Sequence, residues 1–142
     1  VSDVAKDIAD RLVTQSIGTF AATSGWGIYI SSEPISPDTV ITIYNTGGVD
    51  EPNPKWRLES RSFQIRVRGA ENGYTAAYSK AEAIKNQLLG LGPITLNLTN
   101  YIGIWMTTNI LFLRYDDSRR PIFVMSFRSE CEPSESDNRT AL

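Results

Sequence analysis

The run "RSFQIRVRG", Arg61 to Gly69, alternates polar and apolar side chains without a slip, and it restricts the fold more than any other stretch of the chain. Successive side chains of a strand point to opposite faces, so Phe63, Ile65 and Val67 share one side while Gln64, Arg66 and Arg68 share the other. One side must be core. The other is wetted or meets a partner.

The residues that follow change period. Tyr74, Ala77, Tyr78, Ala81, Ile84, Leu88 and Leu91 recur at helical spacing, with Ser79, Lys80, Glu82, Lys85 and Asn86 opposite them. Asn72 suits the cap of this helix, and Gly90 suits the left-handed position that closes it. Near the N-terminus Ala5, Ile8 and Leu12 predict a second amphipathic helix over residues 2–16, capped by Ser2. "WGIYI" reads as a short strand, and the β-branched run Thr39 to Tyr44 as another. "PITLNLT", "YIGIWMTT" and "ILFLRYDD" read as three more, and the last forms a hairpin with "PIFVMSFRS" across a polar connection from Asp116 to Arg120.

These elements predict an α+β fold: a mixed, largely antiparallel sheet with two main helices packed on one face, plus a C-terminal β-hairpin. A chain of 142 residues is long enough to bury one core without metal or disulfide, so one domain over residues 1–129 is expected. From Glu130 the composition turns to Ser, Glu, Asp, Pro and Asn, which predicts a loose polar tail over 130–142.

Composition excludes several chemistries. There is no histidine and a single cysteine, Cys131, so zinc sites of the usual Cys/His kind, histidine-based triads and an intrachain disulfide framework are ruled out. A lone thiol suits a reducing cytosol. No segment approaches the roughly 20 apolar residues of a membrane span. With 14 Lys and Arg against 16 Asp and Glu, the net charge of −2 does not mark a protein that neutralises a phosphate backbone.

"TVITIYNTGG" raises the question of a phosphate loop, since it is a strand running into paired glycines. A nucleotide cradle requires a lysine and a hydroxyl after the glycines. Here Val49, Asp50, Glu51 and Pro52 follow, and two carboxylates repel phosphate. The plainer reading is a turn that needs positive φ to leave the strand. Asp116 and Asp117 precede Arg119 and Arg120 in one turn, so a solvated connection is expected there rather than acid–base work. No catalytic residue, metal ligand or cofactor site is assigned. Arg66 and Arg68 beside Trp56 or Tyr44 leave open a sheet-based nucleic-acid module, although no RNP-like run exists.

Taken in order, "SPDTVITIYNTGG", "FQIRVRG", "GYTAAYSKAEAIKNQL", "YIGIW" and "LRYDDSRRPIFVMSFR" resemble the tail terminator or minor capsid proteins of long-tailed bacteriophages, from about Ile28 to Arg128. The resemblance does not reach the N-terminal helix or the segment after Glu130. It implies a structural, non-enzymatic virion protein at the tail–neck junction, assembled in the host bacterial cytoplasm. Such a subunit would form a homo-hexameric ring that caps the head-proximal end of the tail tube and stops polymerisation. Its partners would be itself, the tube protein and a neck or head-completion protein, with DNA passing through unbound. Another neck component remains the alternative within structural proteins.

On that reading the loop from Val49 to Trp56 is the candidate contact, with Thr46, Gly47 and Gly48 releasing it and Trp56 as anchor. Arg57, Arg66 and Arg68 are expected to pair with Asp50, Glu51, Asp116 or Asp117 of a neighbour, and Arg119 and Arg120 join this interface set.

Overall fold

The computed structural model describes residues 2–48, 50–134 and 137–141. Nine elements follow in order: α1 (Val4–Thr14), β1 (Thr19–Phe20), β2 (Gly27–Ile30), β3 (Val40–Gly47), β4 (Glu59–Arg68), α2 (Tyr74–Leu88), β5 (Ile94–Leu96), β6 (Thr99–Tyr115) and β7 (Pro121–Pro133). The strands form one sheet in the order β1-β2-β3-β4-β7-β6-β5. β1, β2 and β3 run parallel, and every later pairing is antiparallel. The expected α+β architecture with a C-terminal hairpin is therefore present.

The strict alternation of β4 organises the core. Phe63, Ile65 and Val67 are fully buried in one cluster with Ile41 and Ile43 of β3 and Phe123, Met125 and Phe127 of β7. Phe63 lies directly opposite Phe127, and their rings stack with centroids 4.9 Å apart. Such a pair adds about 0.5–1.5 kcal/mol beyond the area it buries. Both helices join this cluster, α1 through Ala5, Ile8, Ala9 and Leu12 and α2 through Ala77, Ala81, Ile84 and Leu88. They thus cover the same side of the sheet.

Several details differ from the sequence expectations. Asp3, not Ser2, caps α1 by accepting from the Lys6 amide at 2.8 Å, because that is the residue three positions before it. The Ala5 amide, another free donor of the first turn, is taken by Asn45 Oδ1 of β3 at 3.0 Å. Asn72 does not cap α2; it turns the chain with φ +62°, and Gly73 occupies the cap position. Gly90 does take the left-handed conformation, at φ +80°. Tyr74 and Tyr78 share the helical stripe but stay about half exposed, leaning edge-on against Phe123.

The two runs "YIGIWMTT" and "ILFLRYDD" are one 17-residue strand. Its register against β7 shifts at four places between Tyr101 and Arg114, and each bulge changes which side the next residues face. Alternation read from sequence breaks at such points. The segment from Glu130 is also more ordered than its composition suggests. Glu130 to Pro133 continue β7, where Cys131 is fully buried opposite Tyr101 and Glu59. Further on, the Thr140 amide donates to the Lys55 carbonyl at 2.6 Å, and Arg139 reaches Glu59 at 3.0 Å. Residues 135, 136 and 142 of the expected tail lie outside the described residues.

Candidate assembly interface

Parallel neighbours usually need a crossover of about a dozen residues or more, most often helical. Between β2 and β3 the crossover is the irregular segment 31–39, and two arginines hold it. Arg68 faces away from the helices, being out of phase with Val67. Its Nε donates to the Asp38 carbonyl at 3.0 Å and its Nη2 to the Pro37 carbonyl at 2.7 Å, with Glu33 3.6 Å away. Arg120 donates through Nη1 to the Ile35 carbonyl at 2.6 Å and to Asp38 Oδ1 at 3.2 Å, and through Nε to Asp116 Oδ2 at 2.8 Å. Burial, reinforced by the nearby Arg120 charge, lowers the Arg68 pKa from its ordinary value.

The structure therefore engages three expected interface residues inside the subunit. Arg68, at 2% exposure, and Arg120, at 8%, are buried and direct their donors to groups of their own subunit. Asp116 also accepts the amides of Ser118 and Arg120, closing the hairpin turn. Burial pushes its carboxyl up, but those amides and the Arg120 guanidinium outweigh it, and the net pKa is lowered.

Apart from Arg66, which lies within the β3–β4–β7 ladder, the remaining expected residues fall at two opposite ends of the sheet. Gly47 pairs with Ser62, and Glu59 with Cys131, so the loop after β3 projects at that end. Thr46, Gly47, Gly48, Asp50 and Glu51 are exposed there; Val49 lies outside the described residues. Gly47 adopts φ +83°, and a Cβ on Gly48 would run into the Ser60 carbonyl, so both glycines answer to backbone geometry. Trp56 is 47% exposed and forms a parallel bridge with Thr140. Arg57 donates its amide to the Thr140 carbonyl at 3.1 Å and pairs with Asp137 at 3.4 Å. Arg66 lies over the Tyr44 ring at 5.8 Å. Asp117 and Arg119 are exposed at the far end, in the turn between β6 and β7.

Sequence reasoning missed the open side of β6. β5 pairs only with Thr99 to Tyr101, so from Ile102 to Tyr115 the strand has β7 as its one ladder partner among the described residues. The Gly90 amide takes the Ile104 carbonyl at 2.9 Å, and beyond that point Trp105, Leu111, Leu113 and Tyr115 are exposed along the open edge. Unpaired backbone groups beside exposed apolar side chains form a template for association. The available signal was "ILFLRY", where apolar residues occupy both phases of a strand and cannot all turn inward. The Arg128 guanidinium covers Trp105 at 4.8 Å.

Chemically reactive groups are scarce. Among the described residues no cluster of three or more His, Cys, Asp or Glu is placed to hold a metal ion. Burial pushes the Cys131 thiol up to about 11, which makes it a poor nucleophile at neutral pH. Among the described residues no helix is long and apolar enough to cross a membrane.

Fold and surface together define a one-sided α+β sandwich whose conspicuous features are edges and exposed apolar side chains, the marks of an assembly subunit. Residues 3–132 match the family described as bacteriophage tail terminator protein, and the chain belongs to that family. It is accordingly a structural component of the phage virion. Among solved structures, a chain from the virion of a native gene transfer agent particle superposes with a TM-score of 0.68 at 17% identity, covering 92% of this chain and 95% of that one. A second solved chain gives a TM-score of 0.59 at 13% identity over 94% and 96% of the two chains. No curated protein sequence matches.

Proposed function

We propose that this subunit assembles head-to-tail into a six-membered ring that caps the head-proximal end of the tail tube, ends its polymerisation and presents a surface to the neck of the capsid. It works by shape and carries out no reaction. The observation that carries this reading is the free apolar edge of β6: a monomer with such an edge is incomplete, and a second copy can cover it. The solved chain from a gene transfer agent virion supports the same kind of setting for this fold.

The near-neutral charge suits a conduit through which DNA slides without being gripped. A nucleic-acid module is the second reading, drawing on Arg66 over Tyr44 and Arg128 over Trp105. Electron microscopy of tails made with and without the protein tests the proposal. Tails of uncontrolled length in its absence support it, whereas unchanged tails together with oligonucleotide capture by the purified monomer favour the second reading.

A further inference from the structure

Ile35 is the most exposed large apolar residue described, at 85%, yet its backbone is among the most firmly held. Its carbonyl accepts from Arg120 Nη1 at 2.6 Å and from Arg68 Nη2 at 3.4 Å, and Pro34 and Pro37 stiffen the segment on either side. A hydrophobic side chain on a free loop would fold back onto the surface. This one is kept outward by two buried guanidinium groups, so the ordering cost of docking has already been met during folding.

The same chain offers a receptor. Asn72, Tyr115 and Arg119 line an open hollow of about 360 Å³ at the head of α2 and the end of β6. Tyr115 is 53% exposed and packs edge-on against Phe112, with centroids 5.0 Å apart, so one side of the hollow is aromatic and backed by the aromatic cluster, while Asn72 and Arg119 make the rest polar. Arg119 is exposed and has no ion pair among the described residues. Beside the knob, Asp38 keeps 62% of its side chain exposed although Oδ1 bonds Arg120.

We infer that Ile35 of one copy seats in the Asn72–Tyr115–Arg119 hollow of the next, with Asp38 facing Arg119 across the junction. Apolar knob and aromatic wall match, and so do the flanking charges, carboxylate against guanidinium. Knob and hollow are different surfaces of one chain, as a contact that propagates around a ring requires. This inference rests on the ring reading and specifies one of its contacts.

The test uses the full chain. Ile35→Asp and Arg119→Glu are measured by native mass spectrometry and sedimentation beside the unaltered protein, with circular dichroism as a check on folding. Both side chains are exposed, so melting should not change while self-association weakens about thirtyfold or more for Ile35→Asp, the scale of losing one central anchor. Ile35→Cys with Tyr115→Cys in one chain should give, on oxidation, a ladder of covalent multimers up to the ring; Cys131 is buried and adds no background. Unchanged rings formed by Ile35→Asp overturn the inference and leave the ring reading standing, as do cross-linked dimers with no higher species. A chain that stays monomeric at high concentration and on tail tubes overturns both.

Discussion

The Tyr101 hydroxyl of β6 donates to the Asp7 carboxylate of α1 in the middle of the core, and both residues are fully buried. Asn97 donates to the other oxygen of Asp7 at 3.0 Å. A helix that otherwise packs by aliphatic side chains and one hydrogen bond to Asn45 of β3 is thereby tied to the far part of the sheet. Burial raises the Asp7 pKa above 3.8; the hydrogen bonds from Tyr101 and Asn97 and the Arg61 charge offset this only in part, and Asp3 adds to the rise.

The sign of the resulting pH dependence follows by linkage. The folded protein binds the Asp7 proton more tightly than the unfolded chain, so this residue's contribution is greatest below 3.8 and is lost as pH rises through the raised folded value. Asp7→Asn should remove that slope. Melting temperature followed from pH 3 to 7 in the two proteins isolates it, since the other carboxylates are common to both. Tyr101→Phe, which leaves the carboxylate one donor short, should cost about 1–3 kcal/mol in urea denaturation.

Arg68→Ala and Arg120→Ala should each destabilise the fold by about 1–3 kcal/mol, because each strands carbonyls of segment 31–39. Arg66→Ala, whose described contact is the Tyr44 ring, should stay within about 1 kcal/mol. Denaturant midpoints rank the three. Equal effects would contradict the division between internal and outward arginines.

The paired glycines separate in the same way. Gly48→Ala drives a methyl group into the Ser60 carbonyl and should cost about 1–3 kcal/mol or more. Gly47→Ala meets nothing within 4 Å and suffers only its positive φ, roughly 1–2 kcal/mol. Thermal melts of the two variants check the order.

Along the open strand, Leu111→Lys and Leu113→Lys should leave stability within about 0.5 kcal/mol while weakening assembly, since both side chains already face solvent in the monomer. Trp56→Ala should likewise spare the fold and weaken association with a neighbour or the tube. Sedimentation and tail-length distributions give the readout. Unfolding of the Trp56 variant would mark it as a core residue instead.

How far the fold could be read from sequence depended on whether one physical pattern governed a segment. β4 obeys a single period, and its buried set was evident; so were the hairpin turn at Asp116 to Arg120 and the left-handed Gly90. β6 does not, because bulges reset its phase and the strand looks like two. β1 is two residues long, too short to carry any period. The roles of Arg68 and Arg120 were hidden for a different reason. The backbone carbonyls they hold lie 30 to 33 positions from Arg68 and 85 from Arg120, and carbonyls have no sequence signature. Charged residues on a strand look like rim residues until the chain that returns beneath them is seen.

That returning chain has a wider consequence. A sheet normally shields its second side with another layer of helices or strands, which thickens the molecule and hides that side for good. Here a ribbon of ordinary loop, riveted by two cations, covers only the end of that side around Arg68, and Gln64, Arg66, Ser126 and Arg128 further along it stay partly exposed. Much of the ribbon's own outer surface is left available to whatever lies next to it.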